Sequence, residues 1–184
     1  MIGGAPEKQV SVSSGAEVDA LMARLRDSAD LTTTRLRELL GREQDPLRVF
    51  KQLKFEEVGC DPLAPARRLN VIEQINQLFT YEATFHAARW LLDRYPSHAP
   101  LILNLGTNAG TDIESRDGQV AAEVFATVDP RNNRKLERDI ERLQSRTALW
   151  RYVFYLAPTA GGKPDEFEVG GILVRRLWPL RGGA

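Results

Sequence analysis

The segment Thr111–Val128, TDIESRDGQVAAEVFATV, constrains this chain more than any other. Two alternating runs flank Asp117-Gly118. Asp-Gly between alternating strands is the strongest short-range hairpin signal, because both positions of the tight turn take positive φ. A two-residue turn sets the register, placing Arg116 opposite Gln119, Glu114 opposite Ala121 and Asp112 opposite Glu123. Side chains alternate along a strand, so Asp112, Glu114, Ala121 and Glu123 share one face. Directly opposed residues have Cβ atoms about 5 Å apart, and two carboxylates that close repel unless a cation lies between them. Two readings stay open here: an acidic, solvated strand face, or a pair of oxygen donors for a divalent metal. The opposite face, Val120, Ala122, Val124 and Ala126, is small and apolar and suits a packed helix.

The chain has 184 residues, enough for one domain with a substantial core and a small appendage. Lys plus Arg and Asp plus Glu number 25 each, so no net charge advertises nucleic acid or a membrane surface, although a local basic groove remains compatible. Cys60 is the single cysteine, which excludes an internal disulfide framework and fits a reduced, cytoplasmic setting. The N-terminal stretch lacks an apolar leader core, and no apolar run approaches the ~18 residues of a membrane span. His86 falls on an apolar helical stripe and His98 in a Pro-bounded loop, so neither histidine has zinc-ligand spacing.

Residues 1–15 read as a flexible terminus and residues 16–62 as a helical extension packed on a core of residues 63–184. Val18, Leu21, Met22 and Leu25 give a first helix over residues 16–27, and the caps of Asp30–Thr34 start a second that Gly41 ends. The pair forms either a helix-turn-helix or an αα-hairpin, and its lack of strong basic charge favours the hairpin. Asp45-Pro46 starts a third helix with Leu47, Phe50 and Leu53 as its apolar face. Residues 67–95 carry the longest helical pattern, with Ile72, Ile75, Phe79, Ala83, His86 and Trp90 as its apolar stripe and Glu73, Asn76, Gln77, Thr80 and Thr84 as its polar one.

Leu101–Leu105 reads as a buried strand, and the loop GTNAG leads into the hairpin. Asp129-Pro130, with Asn132 or Asn133 as cap, opens a helix over residues 133–145. Its inner stripe is Leu136, Ile140 and Leu143. Its dense mixed charge, including Lys135, Asp139 and Arg142, reads as a solvated face. Tyr152–Leu156, apolar on both faces, suits a central and parallel strand. The Pro158–Pro164 loop lacks phosphate-loop spacing. Phe167 and Val169 alternate briefly, Ile172–Val174 reads as an edge strand, and Arg175, Arg176 and Arg181 add basic charge.

After the helical extension the order is helix, strand, strand, strand, helix, strand, with Asp112 opening the second strand and Glu123 in the third. This αβββαβ order and the phrase GTDIESRDGQVAAEVFA resemble the PD-(D/E)XK, restriction-endonuclease-like, nuclease superfamily over residues 67–157. The resemblance implies a mixed α/β sheet flanked by helices and metal-dependent phosphodiester hydrolysis of nucleic acid, DNA first. It makes Asp112 and Glu123 ligands of Mg²⁺ or Mn²⁺, with Glu73 as an acidic helix residue in support and Gln77 beside it. Many members dimerise to cut two strands, so a homodimer belongs to the same expectation. The family's lysine, two residues after the Glu, is Phe125 here. An aromatic ring carries no charge, so either another cation substitutes or the domain is a catalytically silent interaction or regulatory module. Lys135 is the nearest lysine downstream. A strand advances about 17 Å in five residues whereas a returning helix recovers ~1.5 Å per residue, which puts Arg142 nearer the level of Glu123. Arg116 shares the face but sits at the turn.

Overall fold

The computed structural model describes residues 9–106, 110–130, 134–158 and 164–177. The GTNAG tip, the Asn132 and Asn133 caps, most of the Pro158–Pro164 loop and Arg181 lie outside them. The chain divides into two compact units, Asp19–Glu82 and the remainder.

The larger unit is built on a mixed seven-stranded sheet, in the order β1-β4-β5-β6-β7-β9-β8. Its strands are β1 (Gln9–Val12), β4 (Leu101–Asn104), β5 (Ile113–Ser115), β6 (Val120–Ala126), β7 (Trp150–Leu156), β8 (Glu166–Val169) and β9 (Ile172–Arg176). Gln9–Val12, read as loose from the sequence, pair antiparallel with β4 and form one edge. β6, β7 and β9 run parallel, and β7 lies between the other two, as its two apolar faces predict. β9 is internal rather than an edge strand, because β8 pairs with it through a hairpin turned by Gly170 and Gly171, at φ +58° and +74°.

β5 and β6 pair with Ile113 opposite Ala122 and Glu114 opposite Ala121, the register read from the sequence. The turn differs. Only Gly118 has positive φ, +70°, and its N–H closes a turn on the Ser115 carbonyl at 2.8 Å. Asp117 and Ser115 take over the rest: Ser115 Oγ donates to Asp117 Oδ1, and Val120 N–H donates to Ser115 Oγ. A four-residue loop and a two-residue turn share the same centre, so the register survives the change of turn.

Both sheet faces carry a helix. The C-terminal half of α3 (Val71–Arg94) sets Trp90 edge-on against Tyr152 and Phe154, 5.4 and 5.5 Å between ring centroids. α4 (Lys135–Gln144) lays Leu136, Ile140 and Leu143 against Ala121, Phe125, Val153 and Tyr155 on the other face. The carboxylate-bearing face of β6 is therefore a covered face, not a solvated one, and Phe125 is a core residue stacked 5.8 Å from Tyr155.

The smaller unit holds most of α1 (Gly15–Arg42), α2 (Pro46–Phe55), the two-stranded ribbon of β2 (Gly59–Cys60) with β3 (Arg68–Leu69), and the N-terminal half of α3. α1 is one helix, not two, so there is neither a helix-turn-helix nor an αα-hairpin in it. Thr34, in the run read as caps, bonds within the helix, its Oγ1 donating to the Asp30 carbonyl, and Ser28 Oγ likewise donates to the Leu25 carbonyl. Asp45 caps α2 as expected, accepting from Leu47 N–H at 2.9 Å. Phe50 and Phe55 of α2 are nevertheless exposed. On α3 the stripe of Ile72, Ile75 and Phe79 is also outward-facing, and Val71 and Gln74 are the buried residues of that segment. Among the described residues no helix is long and apolar enough to cross a membrane.

Candidate functional site

β5 and β6 bring Asp112 and Glu123 together as the register requires. Asp112, at the mouth of the hairpin, turns its Oδ2 onto the Val124 backbone N–H at 2.7 Å. Glu123 projects from the middle of β6 beneath α4 and is fully buried. Its Oε2 accepts from Arg142 Nη1 at 3.0 Å, whereas its Oε1 has no hydrogen-bond partner among the described residues. Burial pushes the Glu123 carboxyl up to about 8, and the negative charge of Asp112 adds to the shift that Arg142 opposes. At neutral pH and without a cation, this pair holds a proton in place of a second negative charge.

α4 supplies the rest of the cluster. Arg142 reaches Glu123, as the strand and helix rises predict. Lys135 lies farther along, level with Phe125, its Nζ 5.9 Å from the centroid of that ring. The same Nζ donates to Asp139 Oδ1 at 2.7 Å, one helical turn away. Asp139 is fully buried, contrary to its reading as part of a solvated face, and its Oδ2 has no partner among the described residues. Burial raises its carboxyl above the usual range against the opposing pull of Lys135 and Arg142. The result is a buried acidic floor, Glu123 and Asp139, beneath two part-exposed cations, with Asp112 half-buried beside it.

Asp139 is the residue that the sequence reading missed. Its signal was present: Asp139 lies beside Ile140 of the inner stripe, with Lys135 and Arg142 one turn to either side. The other candidates fall elsewhere. Glu73 is exposed in the smaller unit, where its Oε1 accepts from Gln77 Nε2 at 3.4 Å. Arg116 is exposed at the hairpin turn. His98 ties the turn down, with Nδ1 2.6 Å from Asp117 Oδ2. The hydrogen bonds of Ser115 and His98 hold the Asp117 carboxyl down at about 2.

Among the described residues no group of three or more His, Cys, Asp or Glu forms a metal-binding set. Two carboxylates with an unpartnered buried oxygen nonetheless fit a hard divalent ion, because Mg²⁺ keeps several waters and takes one or two carboxylates plus substrate phosphate. No protein-family model, no curated protein and no solved structure matches this chain.

Proposed function

We propose that the larger unit is a PD-(D/E)XK, restriction-endonuclease-like domain that hydrolyses phosphodiester bonds of nucleic acid, DNA in the first place, with Mg²⁺ or Mn²⁺. One observation carries the reading: Asp112, just before β5, and Glu123 of β6 meet in a covered cluster in which Glu123 keeps an oxygen unpartnered among the described residues and resists ionising beside Asp112. Burying such a pair is costly unless a cation completes it. The order α3, β4, β5, β6, α4, β7 supports the same reading, since it runs αβββαβ with Asp112 before the second strand and Glu123 in the third. Asp112 and Glu123 would hold the metal, whereas Glu73, the acidic residue that the resemblance adds, belongs to the smaller unit. The ion, when bound, polarises a phosphate and lowers the pKa of its water. Lys135 and Arg142 set positive charge where a phosphodiester brings negative charge.

A specific contact favours a second reading, the catalytically silent module. Arg142 Nη1 already lies 3.0 Å from Glu123 Oε2, bringing positive charge to the carboxyl as a metal would. Incubation of the full chain with duplex DNA and Mn²⁺, beside Asp112→Ala, separates the two. Cleavage by the wild type that the variant lacks supports the nuclease. Absence of cleavage of DNA and RNA alike, with either metal, leaves Arg142 as the permanent partner and favours the module.

A further inference from the structure

We propose that Asp139 is a positioning residue that fixes Lys135 over Phe125, so that α4 supplies the cation that β6 lacks. The inference rests on the nuclease reading and concerns a residue that the family pattern does not include.

Three observations converge. First, Lys135 Nζ lies 2.7 Å from Asp139 Oδ1 and 5.9 Å from the Phe125 ring centroid, so the ammonium is held above the side chain that replaces the expected lysine. A cation over an aromatic face is attracted by its quadrupole, so Phe125 acts as a floor for the charge rather than a vacancy. Second, Asp139 is fully buried against the apolar seam of Leu136, Ile140 and Leu143, and one of its oxygens is unpartnered. An apolar residue of similar volume commonly stabilises such a position more than a buried ion pair does, so stability alone gives a weak reason for Asp139. Third, Arg142 is committed to Glu123 whereas Lys135 is held by Asp139, so of these two cations Lys135 is the one not tied to the proposed metal ligands. An exposed i,i+4 pair fixes a lysine poorly. Anchoring it to a buried carboxylate removes most of its freedom.

Positioning is read without any hydrolysis. Brief treatment of the full chain with acetic anhydride, followed by mass spectrometry, ranks lysine reactivity against the exposed Lys51 and Lys54. Lys135 is expected to react about tenfold more slowly, because its ammonium is held by a charge-assisted hydrogen bond to Asp139. Asp139→Asn should erase that difference and Asp139→Glu should keep part of it, with circular dichroism confirming that each variant folds. Use of the cation is read by adding a duplex DNA oligonucleotide with Ca²⁺, which takes oxygen ligands as Mg²⁺ does. The oligonucleotide should slow acetylation of Lys135 further in the wild type and less in Asp139→Asn. Ordinary reactivity of Lys135 in the wild type, or no protection by DNA, overturns the inference. Slow reactivity with protection but no cleavage by the wild type upholds the placement of Lys135 and overturns only the hydrolytic reading.

Discussion

In the smaller unit, Ser28, Thr32, Cys60 and Gln74 are as buried as Glu123 and Asp139 in the larger one, but they satisfy one another. Gln74 Oε1 accepts from Thr32 Oγ1 at 2.7 Å and from Cys60 N–H at 2.9 Å, and its Nε2 donates to the Ser28 carbonyl at 3.2 Å. That network is neutral, and Gln74 uses both its carbonyl and its amide. The cluster around Glu123 is charged, raises the carboxyl groups of Glu123 and Asp139, and leaves one oxygen on each without a partner. A closed neutral network ties elements together; an open charged one retains capacity for something it does not contain. The contrast distinguishes a structural polar core from the candidate site.

The largest effect that sharpens this contrast is on chemistry. Asp112→Ala should lower metal-dependent DNA cleavage by about 10³-fold or more, roughly 4 kcal/mol on the barrier, while the thermal midpoint changes little. Unchanged cleavage rates would remove the hairpin from the site. The neutral network should respond in the opposite sense. Gln74→Ala leaves the Cys60 N–H, the Thr32 hydroxyl and the Ser28 carbonyl without their partner, and should cost about 2–3 kcal/mol in urea unfolding with Mn²⁺ binding intact. Loss of metal binding there would mean that the two clusters are not independent.

The pH dependence of stability comes next. The folded Glu123 carboxyl is pushed up to about 8 from its ordinary value of 4.5. Between those pH values the folded state holds a proton that the unfolded chain has released, so stability is full below about pH 4.5 and falls as pH rises toward 8. Glu123→Gln should flatten that part of the curve, measured as thermal midpoint against pH without metal, and saturating Mn²⁺ should flatten it in the wild type. A midpoint that rises over this window in the wild type contradicts the assignment. The smallest effect belongs to Asp117. Its carboxyl is held down from 3.8 to about 2, so its contribution is present above about pH 4 and lost on acidification toward pH 2. Asp117→Asn should lower the midpoint slightly at pH 7 and not at all at pH 2, and equal shifts at both would mean that the His98 contact is unrelated to charge.

The hairpin register was legible because alternation and a symmetric loop centre dictate it whichever turn closes it. The turn type was not, since Ser115 and Asp117 side chains do work that the dipeptide signal assigns to backbone conformation. The break expected in α1 failed because Thr34 bonds to a carbonyl of its own helix, an alternative to capping that spacing does not distinguish. The Ile72–Ile75–Phe79 stripe has helical period, but periodicity marks a face without saying whether anything covers it. Asp139 was hidden by its neighbours: five other charged residues of the same helix surround it in sequence, and only the packing of Ile140 and Leu143 turns it inward. The Glu123–Arg142 level was readable from the rises of strand and helix alone.

Calorimetric titration of the full chain with Mn²⁺ at pH 8, on the wild type and on Asp112→Ala, tests the central claim most directly. Saturable binding by the wild type with release of a proton, absent from the variant, is the predicted result, because the cation takes the place of the proton on the Asp112–Glu123 pair. Binding that survives the substitution, or none by the wild type even with a duplex oligonucleotide present, would contradict it.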